Sequence, residues 1–278
     1  MSGASRRNVL PGFGLTMGLT LTWLSLLILI PLAGLFVKTS ELTAAQFVAT
    51  VTSPRTLHAL MLSFGLAFAA ALVNLVAGLA VVWALVRYRF PGRRLFDAIV
   101  DIPFALPTAV AGVALTSLFA QQGWLGAPLA ALGIRVAFTP LGIFVAMVFI
   151  GIPFVVRTVQ PVLIDLEVEL EEAAASLGAS RWQIVTRVIL PSLTPAILTG
   201  FALAFARAVG EYGSVIFIAG NLPNVSEIAP LLIVIRLSEF RYADATAIAV
   251  VMLVAAFVMI FVINRLQRWA QTRAAAPA

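Results

Sequence analysis

Six stretches of this chain are too apolar and too long to belong to a water-soluble fold. They cover residues 13–37, 57–86, 99–120, 141–159, 193–219 and 243–263. A helix needs about 20 apolar residues to cross the hydrocarbon core of a bilayer, and each stretch supplies roughly that length. Within a bilayer every backbone N–H and C=O must be paired inside the protein, so each stretch reads as a helix. Only 11% of the residues are charged and mean hydropathy is +1.06, whereas a soluble domain carries about 25% charged residues. The sequence predicts an all-α polytopic membrane protein with six transmembrane helices. The first stretch follows Arg6 and Arg7 as a secretory signal would. It is longer than a signal core and lacks a small-residue cleavage site, so it reads as a retained helix.

Charge sets the orientation. With the N-terminus inside, the cytoplasmic side holds 12 of the 18 Lys and Arg residues, the outside holds 5, and Arg207 lies within a stretch. That bias predicts both termini cytoplasmic. The same arginines account for the net charge of +6 as lipid-surface contacts, with no nucleic-acid partner. The absence of cysteine excludes disulfides and thiolate metal sites. The single histidine, His58, cannot build a metal site alone and reads as an interfacial residue. The predicted organisation is a cytoplasmic segment 1–12, a six-helix transmembrane domain 13–264 and a cytoplasmic tail 265–278. Outer loops cover 38–56, 121–140 and 220–242. Inner loops cover 87–97 and 157–191.

The second inner loop is the longest and holds five of the twelve acidic residues: Asp165, Glu167, Glu169, Glu171 and Glu172. From Asp165 to Leu177 it reads as a helix, acidic where the macrodipole favours negative charge. Ala173, Ala174 and Ala175 are small and would let the segment enter a groove, with Ser176, Leu177 and Ala179 among the candidate docking residues. Gly178 is placed to take a left-handed conformation and end the helix. Ser180 with Gln183 three residues on forms a capping-box pattern that starts a second helix. Trp182, Val185 and Ile189 fall on one side of it, a candidate lipid-boundary face, and Leu190-Pro191 close the element. Two readings follow from the residues: a docking handle for a partner, or an amphipathic element lying on the membrane. An acidic helix suits an anionic leaflet poorly.

Glu172-Ala173-Ala174, three residues, Gly178, nine residues and Val188-Ile189-Leu190-Pro191 resemble the EAA loop of ABC importer permeases. The pattern there is E-A-A-x3-G-x9-I-x-L-P, and Val188 is the one conservative departure. The resemblance implies a type I ABC importer permease fold, with Glu171 to Ala179 as a coupling helix docked on an ATP-binding subunit. A P-loop needs Gly before a Lys-Ser/Thr pair. The only lysine, Lys38, follows Val37, so no P-loop exists and ATP with Mg would be used by the partner.

Two features bear on a pathway. Arg207 and Glu211 are four residues apart, on one helix face if the helix continues. Counted from Ala196 at about 1.5 Å per residue, Arg207 falls near mid-membrane. An unpaired charge there costs at least about 2.5–3.5 kcal/mol, which predicts an Arg207–Glu211 pair, either a gate or a packing pair. Gly210 and Gly213 flank Glu211 and permit close helix approach. Pro103 and Pro107, followed by Thr108, each remove a helical hydrogen bond at the inner start of the third stretch. Pro153 repeats the device in the fourth.

Residues 6–13, 87–93, 101–112, 153–162 and 215–221 resemble permeases of the sulfate/thiosulfate family across nearly the whole chain. Molybdate permeases usually carry Pro-Pro where this chain has Leu106-Pro107-Thr108. The resemblance implies a homologous (CysW-like) permease partner, two copies of a CysA-like ATPase, and a periplasmic sulfate- or thiosulfate-binding protein. Neither a cofactor nor a metal is expected on this chain. Molybdate or tungstate is the alternative cargo. An ion-coupled transporter or channel subunit would usually place ionisable residues on several spans, and only Arg207 and Glu211 do so. An intramembrane enzyme lacks any supporting His, Cys or paired-acid cluster.

Overall fold

In the computed structural model, residues 12–274 are described, with side chains through residue 265. Residues 1–11 of the expected inner segment 1–12, with Arg6 and Arg7, and the tail side chains beyond residue 265 lie outside the described residues.

The described chain is helical. α1 runs Phe13–Thr39 with a π turn at Ser25–Leu29. α2 is Ala44–Val51 and α3 is Pro54–Arg87. Three short helices follow: α4 Arg93–Val100, α5 Ile102–Ala105 and α6 Thr108–Phe119. α7 is Gly126–Ala131, α8 is Pro140–Ile164 and α9 is Val168–Ser176. α10 runs Arg181–Val209, α11 is Val215–Ile218, α12 is Ala229–Ser238 and α13 is Tyr242–Ala274.

Five of these, α1, α3, α8, α10 and α13, are long and apolar enough to cross a membrane among the described residues. The expected third span, 99–120, is not one helix. Pro103 begins the short α5, and Leu106 and Pro107 are extended (ψ 133° at each) before α6 begins. Proline disfavours helix in the residue before it, which explains the stop at Leu106. The expected fifth span also breaks. α10 ends at Val209, and the chain restarts at Val215 as a single helical turn. The segment expected as the last outer loop contains α12, whose Leu231 and Leu232 are buried. Ten residues rise only about 15 Å, about half of what a bilayer core requires.

The core forms where α3, α8 and α10 pack against one another, with α13 on α10. Lipid tails are as apolar as leucine, so association relies on close packing rather than on exclusion of water. Small residues supply it. A Cβ on Gly78 would fall 2.7 Å from Val155, and one on Gly200 would fall 3.1 Å from the Val155 backbone. Phe64, Phe68, Phe201 and Phe205 form a ring cluster with centroids 5.6–6.5 Å apart. Pro153 stays inside α8 and does not end it.

Candidate functional site

Two constructions stand out, one at the arginine-rich end of the bundle, the end expected to be inner, and one near its middle.

At the inner end, α9 starts at Glu167 with Glu169 and Glu171 in its first turn. It ends in a Schellman motif. The Gly178 N–H donates to Ala175 O (2.9 Å), the Ala179 N–H to Ala174 O (3.0 Å), and Gly178 takes φ +84°. Only glycine takes that conformation without strain. Ser180 caps the next helix, and Gln183 reaches back to the Ser180 N–H at 2.8 Å. The helix–turn–helix geometry expected from the spacing is present. Glu172, Ala173, Ser176, Leu177 and Gly178 are exposed, and Ala174 and Ala179 are half-buried. Leu177, 90% exposed, is the most accessible apolar side chain of this element. Ala174, Leu177, Gly178, Ala179, Gln183 and Arg187 line a groove of about 350 Å³.

Three expectations here change. Glu171 turns inward and forms an ion pair with Arg87 at the end of α3, so it braces the loop. Leu190 and Pro191 do not close the element, because α10 runs through them. A π turn at Val185–Ile189 precedes the proline, and the Leu190 N–H donates to Val185 O, five residues back. That widening accommodates a residue with no N–H to give. The turn also adds one residue, about 100° of rotation. Trp182 is therefore 74% exposed while Ile189 is 1% exposed, and they do not share a face.

Arg157 on α8 was legible only as a cytoplasmic charge. Its guanidinium spends all five N–H groups. Nε and Nη2 donate to the Asp101 carboxylate, Nη1 to Asp97 Oδ1 and Gln160 Oε1, and Nη2 to the Asp97 carbonyl, each at 2.7 Å. This clamp fixes α4 and the start of α5 to α8. Burial pushes the Asp97 carboxyl up, and hydrogen bonds from Arg157 and Gln160 outweigh it, holding the group below the usual carboxylate range.

Near the middle, two helix breaks meet. Arg207 Nη1 donates to Glu211 Oε2, and Glu211 Oε1 accepts from the Ser214 N–H (2.8 Å) and hydroxyl (2.9 Å). The pair forms, but Glu211 lies past the end of α10, in the turn before α11. Glu211 is 2% exposed and Arg207 31%. The antiparallel register of α8 and α10 gives the depth. Gly151 sits against Ala204, and Gly200 against Val155. Arg207 is thus level with residue 148, about 6 Å to the outer side of the middle of α8.

α6 packs directly on this turn. A Cβ on Gly213 would fall 2.2 Å from Thr108 Oγ1, and one on Gly112 would fall 2.5 Å from the Ser214 carbonyl oxygen. Pro107 and Thr108 thus join Arg207 and Glu211 in one assembly, while Pro103 stands apart in an apolar cavity at the inner end. Discontinuous helices at membrane depth are tolerated where they are buried or line a cavity. Sequence reasoning missed Asn74, fully buried beside Gly151, whose amide atoms have no hydrogen-bond partner among the described residues. It also missed the bidentate Arg55–Glu227 pair (2.6 and 2.7 Å). Both join segments more than a hundred residues apart or pack at mid-bundle, so no local spacing announces them.

A bundle with two interrupted helices at its middle and a projecting acidic helix at one end is the construction of a transport permease. The chain belongs to the family of binding-protein-dependent transport system inner membrane components, whose model matches residues 76–275. It is 50% identical over 267 residues to the sulfate transport system permease protein CysT of Escherichia coli (strain K12), covering 96% of each chain. It is 49% identical over 250 residues to the protein of the same name from Synechococcus elongatus, covering 90% of each. Its fold is similar to that of a bacterial ABC transporter for the acidic polysaccharide alginate, with TM-score 0.77 at 18% identity, covering 92% of this chain and 96% of that one. The MetNI methionine ABC transporter is similar over 77% of this chain and 95% of its own, with TM-score 0.59 at 20% identity.

Proposed function

We propose that this chain is the permease subunit of an ATP-driven sulfate or thiosulfate importer in a bacterial inner membrane. The observation that carries the reading is the 50% identity to a sulfate permease across 96% of the chain. Residues 13–264 form the permease domain, with α4, α5 and α6 together as the third of six crossings and both termini cytoplasmic. A homologous permease completes the pathway. Two copies of a separate ATPase dock on the coupling loops 157–191 and use the ATP and Mg. A periplasmic binding protein delivers the anion.

The physical logic supports this division of labour. Sulfate is a strongly hydrated dianion that a bilayer excludes, so uptake needs both a path and an energy source. Arg207 places positive charge at the two helix breaks, where its pairing with Glu211 keeps the site from trapping the anion. The coupling helix α9 continues from α8 and is braced to α3 by Glu171–Arg87. Movement imposed on α9 thereby reaches both helices, and the Arg157 clamp carries it from α8 to the broken third span.

Radiolabelled sulfate uptake in cells deleted for the chain and complemented with it tests the cargo. Restored uptake, blocked by unlabelled thiosulfate and poorly by molybdate, is the expected result; molybdate blocking better would reassign the cargo. Glu172→Lys reverses the exposed charge beside the groove and is expected to reduce co-purification of the ATPase by about tenfold, roughly 1.4 kcal/mol. Undiminished co-purification would remove Glu172 from the docking surface. Gly178→Val forces a β-branched residue to φ +84° and is expected to destabilise the turn by about 1–2 kcal/mol. Since a Cβ there meets nothing within 4 Å, strain alone is tested; unchanged coupling of ATP hydrolysis to uptake would count against it.

A further inference from the structure

Beneath α4, at the inner end of the bundle, lies a cavity of about 450 Å³ whose lining is almost wholly apolar. Val81 and Leu85 of α3, Phe96 and Ile99 of α4, Pro103 of α5 and Phe149 of α8 form its walls. α4 divides sharply. Arg93, Arg94 and Asp97 occupy one side, and Leu95, Phe96, Ile99 and Val100 the other. Of the apolar four only Val100 is buried, and the other three stay exposed. A helix built this way lies in the plane of a membrane interface with its apolar side toward the acyl chains.

The basic charges around α4 are only partly compensated, with Arg93 acting on Asp97 at a distance. Among the described residues, Arg89, Arg93 and Arg94 form no ion pair, because the nearby carboxylates of Asp97 and Asp101 are taken by Arg157. Phe90 and Phe96, which line the cavity, pack edge to face with centroids 5.8 Å apart. They hold the loop after α3, which carries Arg89, against α4, whose start carries Arg93 and Arg94. The occupant that suits this arrangement has an apolar tail and an anionic head. A free anion would leave the cavity empty, and an apolar protein segment would leave three cations unanswered.

We infer that this cavity binds one anionic phospholipid, with an acyl chain under α4 and the phosphate against Arg89, Arg93 and Arg94. Cationic groups at the cytoplasmic surface draw anionic lipid in this way. Because α4 holds the Arg157 clamp on its other side, the lipid supports the helix that anchors the broken third span. The inference does not depend on which anion the protein carries.

Native mass spectrometry of the delipidated protein, mixed with phosphatidylglycerol or phosphatidylcholine of the same chains, tests it. Retention of one phosphatidylglycerol at least about tenfold above phosphatidylcholine is expected. The triple variant Arg89→Gln, Arg93→Gln, Arg94→Gln, with an unchanged melting temperature as its folding control, should bring the two lipids level. Ala84→Trp fills the cavity and should lower retention of both. Equal retention of the two lipids by the unaltered protein overturns the proposal, as does undiminished phosphatidylglycerol binding by the triple variant. Glycerol phosphate binding as well as the whole lipid would assign the arginines to a free phosphate and overturn it too.

Discussion

Arg207→Ala is expected to damage this protein more than removing Arg207 and Glu211 together. Glu211 is 2% exposed and, in the single variant, keeps the Ser214 N–H and hydroxyl as partners. Those two neutral donors do not balance a carboxylate buried within the helical bundle. Breaking a buried pair from one side costs about 3–5 kcal/mol, because the remaining charge has no counterpart. The Ser214 contacts place the expected loss near the lower bound, about 3 kcal/mol. Arg207→Ala with Glu211→Ala removes both charges and leaves a packing defect and a Ser214 N–H without its acceptor, a smaller cost than a buried unpaired charge. Thermal unfolding in detergent should rank the proteins as unaltered, double variant, single variant. A double variant no more stable than the single would mean the two residues do not act as a pair. Anion uptake separates the two roles left open by the sequence. If the pair serves only packing, the double variant recovers uptake along with stability. If Arg207 acts on the anion, uptake stays low in both.

Local features were legible in the sequence wherever cause and effect lie within one turn. The stop at Gly178, the cap at Ser180, the helical hydrogen bonds lost at Pro103 and Pro107 and the Arg207–Glu211 attraction each follow from neighbouring residues. The long spans were legible because apolar length is a local quantity too. What escaped depends on packing between distant segments. Glu171 looked like part of an exposed acidic run, and Arg87, 84 residues away, draws it inward. The Asp97/Asp101 and Arg157/Gln160 spacings each put two polar groups on one helix face, yet nothing in either segment names the other. α12 hid in a supposed loop because it is short. The passage of α10 through Pro191 escaped for a subtler reason: proline ends a regular helix, and a π turn removes the conflict. That single insertion also scrambled the expected Trp182–Ile189 face.

Gly112→Ala adds one carbon and is expected to abolish most transport. The Cβ would stand 2.5 Å from the Ser214 carbonyl oxygen and 2.8 Å from its Cα. Both are backbone atoms, so no side-chain rotation relieves the clash. α6 must lift from the turn that carries Glu211, or the turn must move. Overpacking of this kind costs about 1–3 kcal/mol. The functional loss should be of the same size, because the displaced parts are the two helix breaks within the bundle. A tenfold to hundredfold fall in uptake, about 1.4–2.8 kcal/mol, is expected, with ATPase co-purification intact because α9 lies at the far inner end. Gly65→Ala on α3 is the matched control. Nothing lies within 4 Å of its added carbon, and alanine is the better helix former by about 0.5–1 kcal/mol. Its uptake should equal that of the unaltered protein. Wild-type uptake by Gly112→Ala would mean that α6 and the Glu211 turn separate during transport without consequence, and the pathway would then have to be sought elsewhere than at these two breaks.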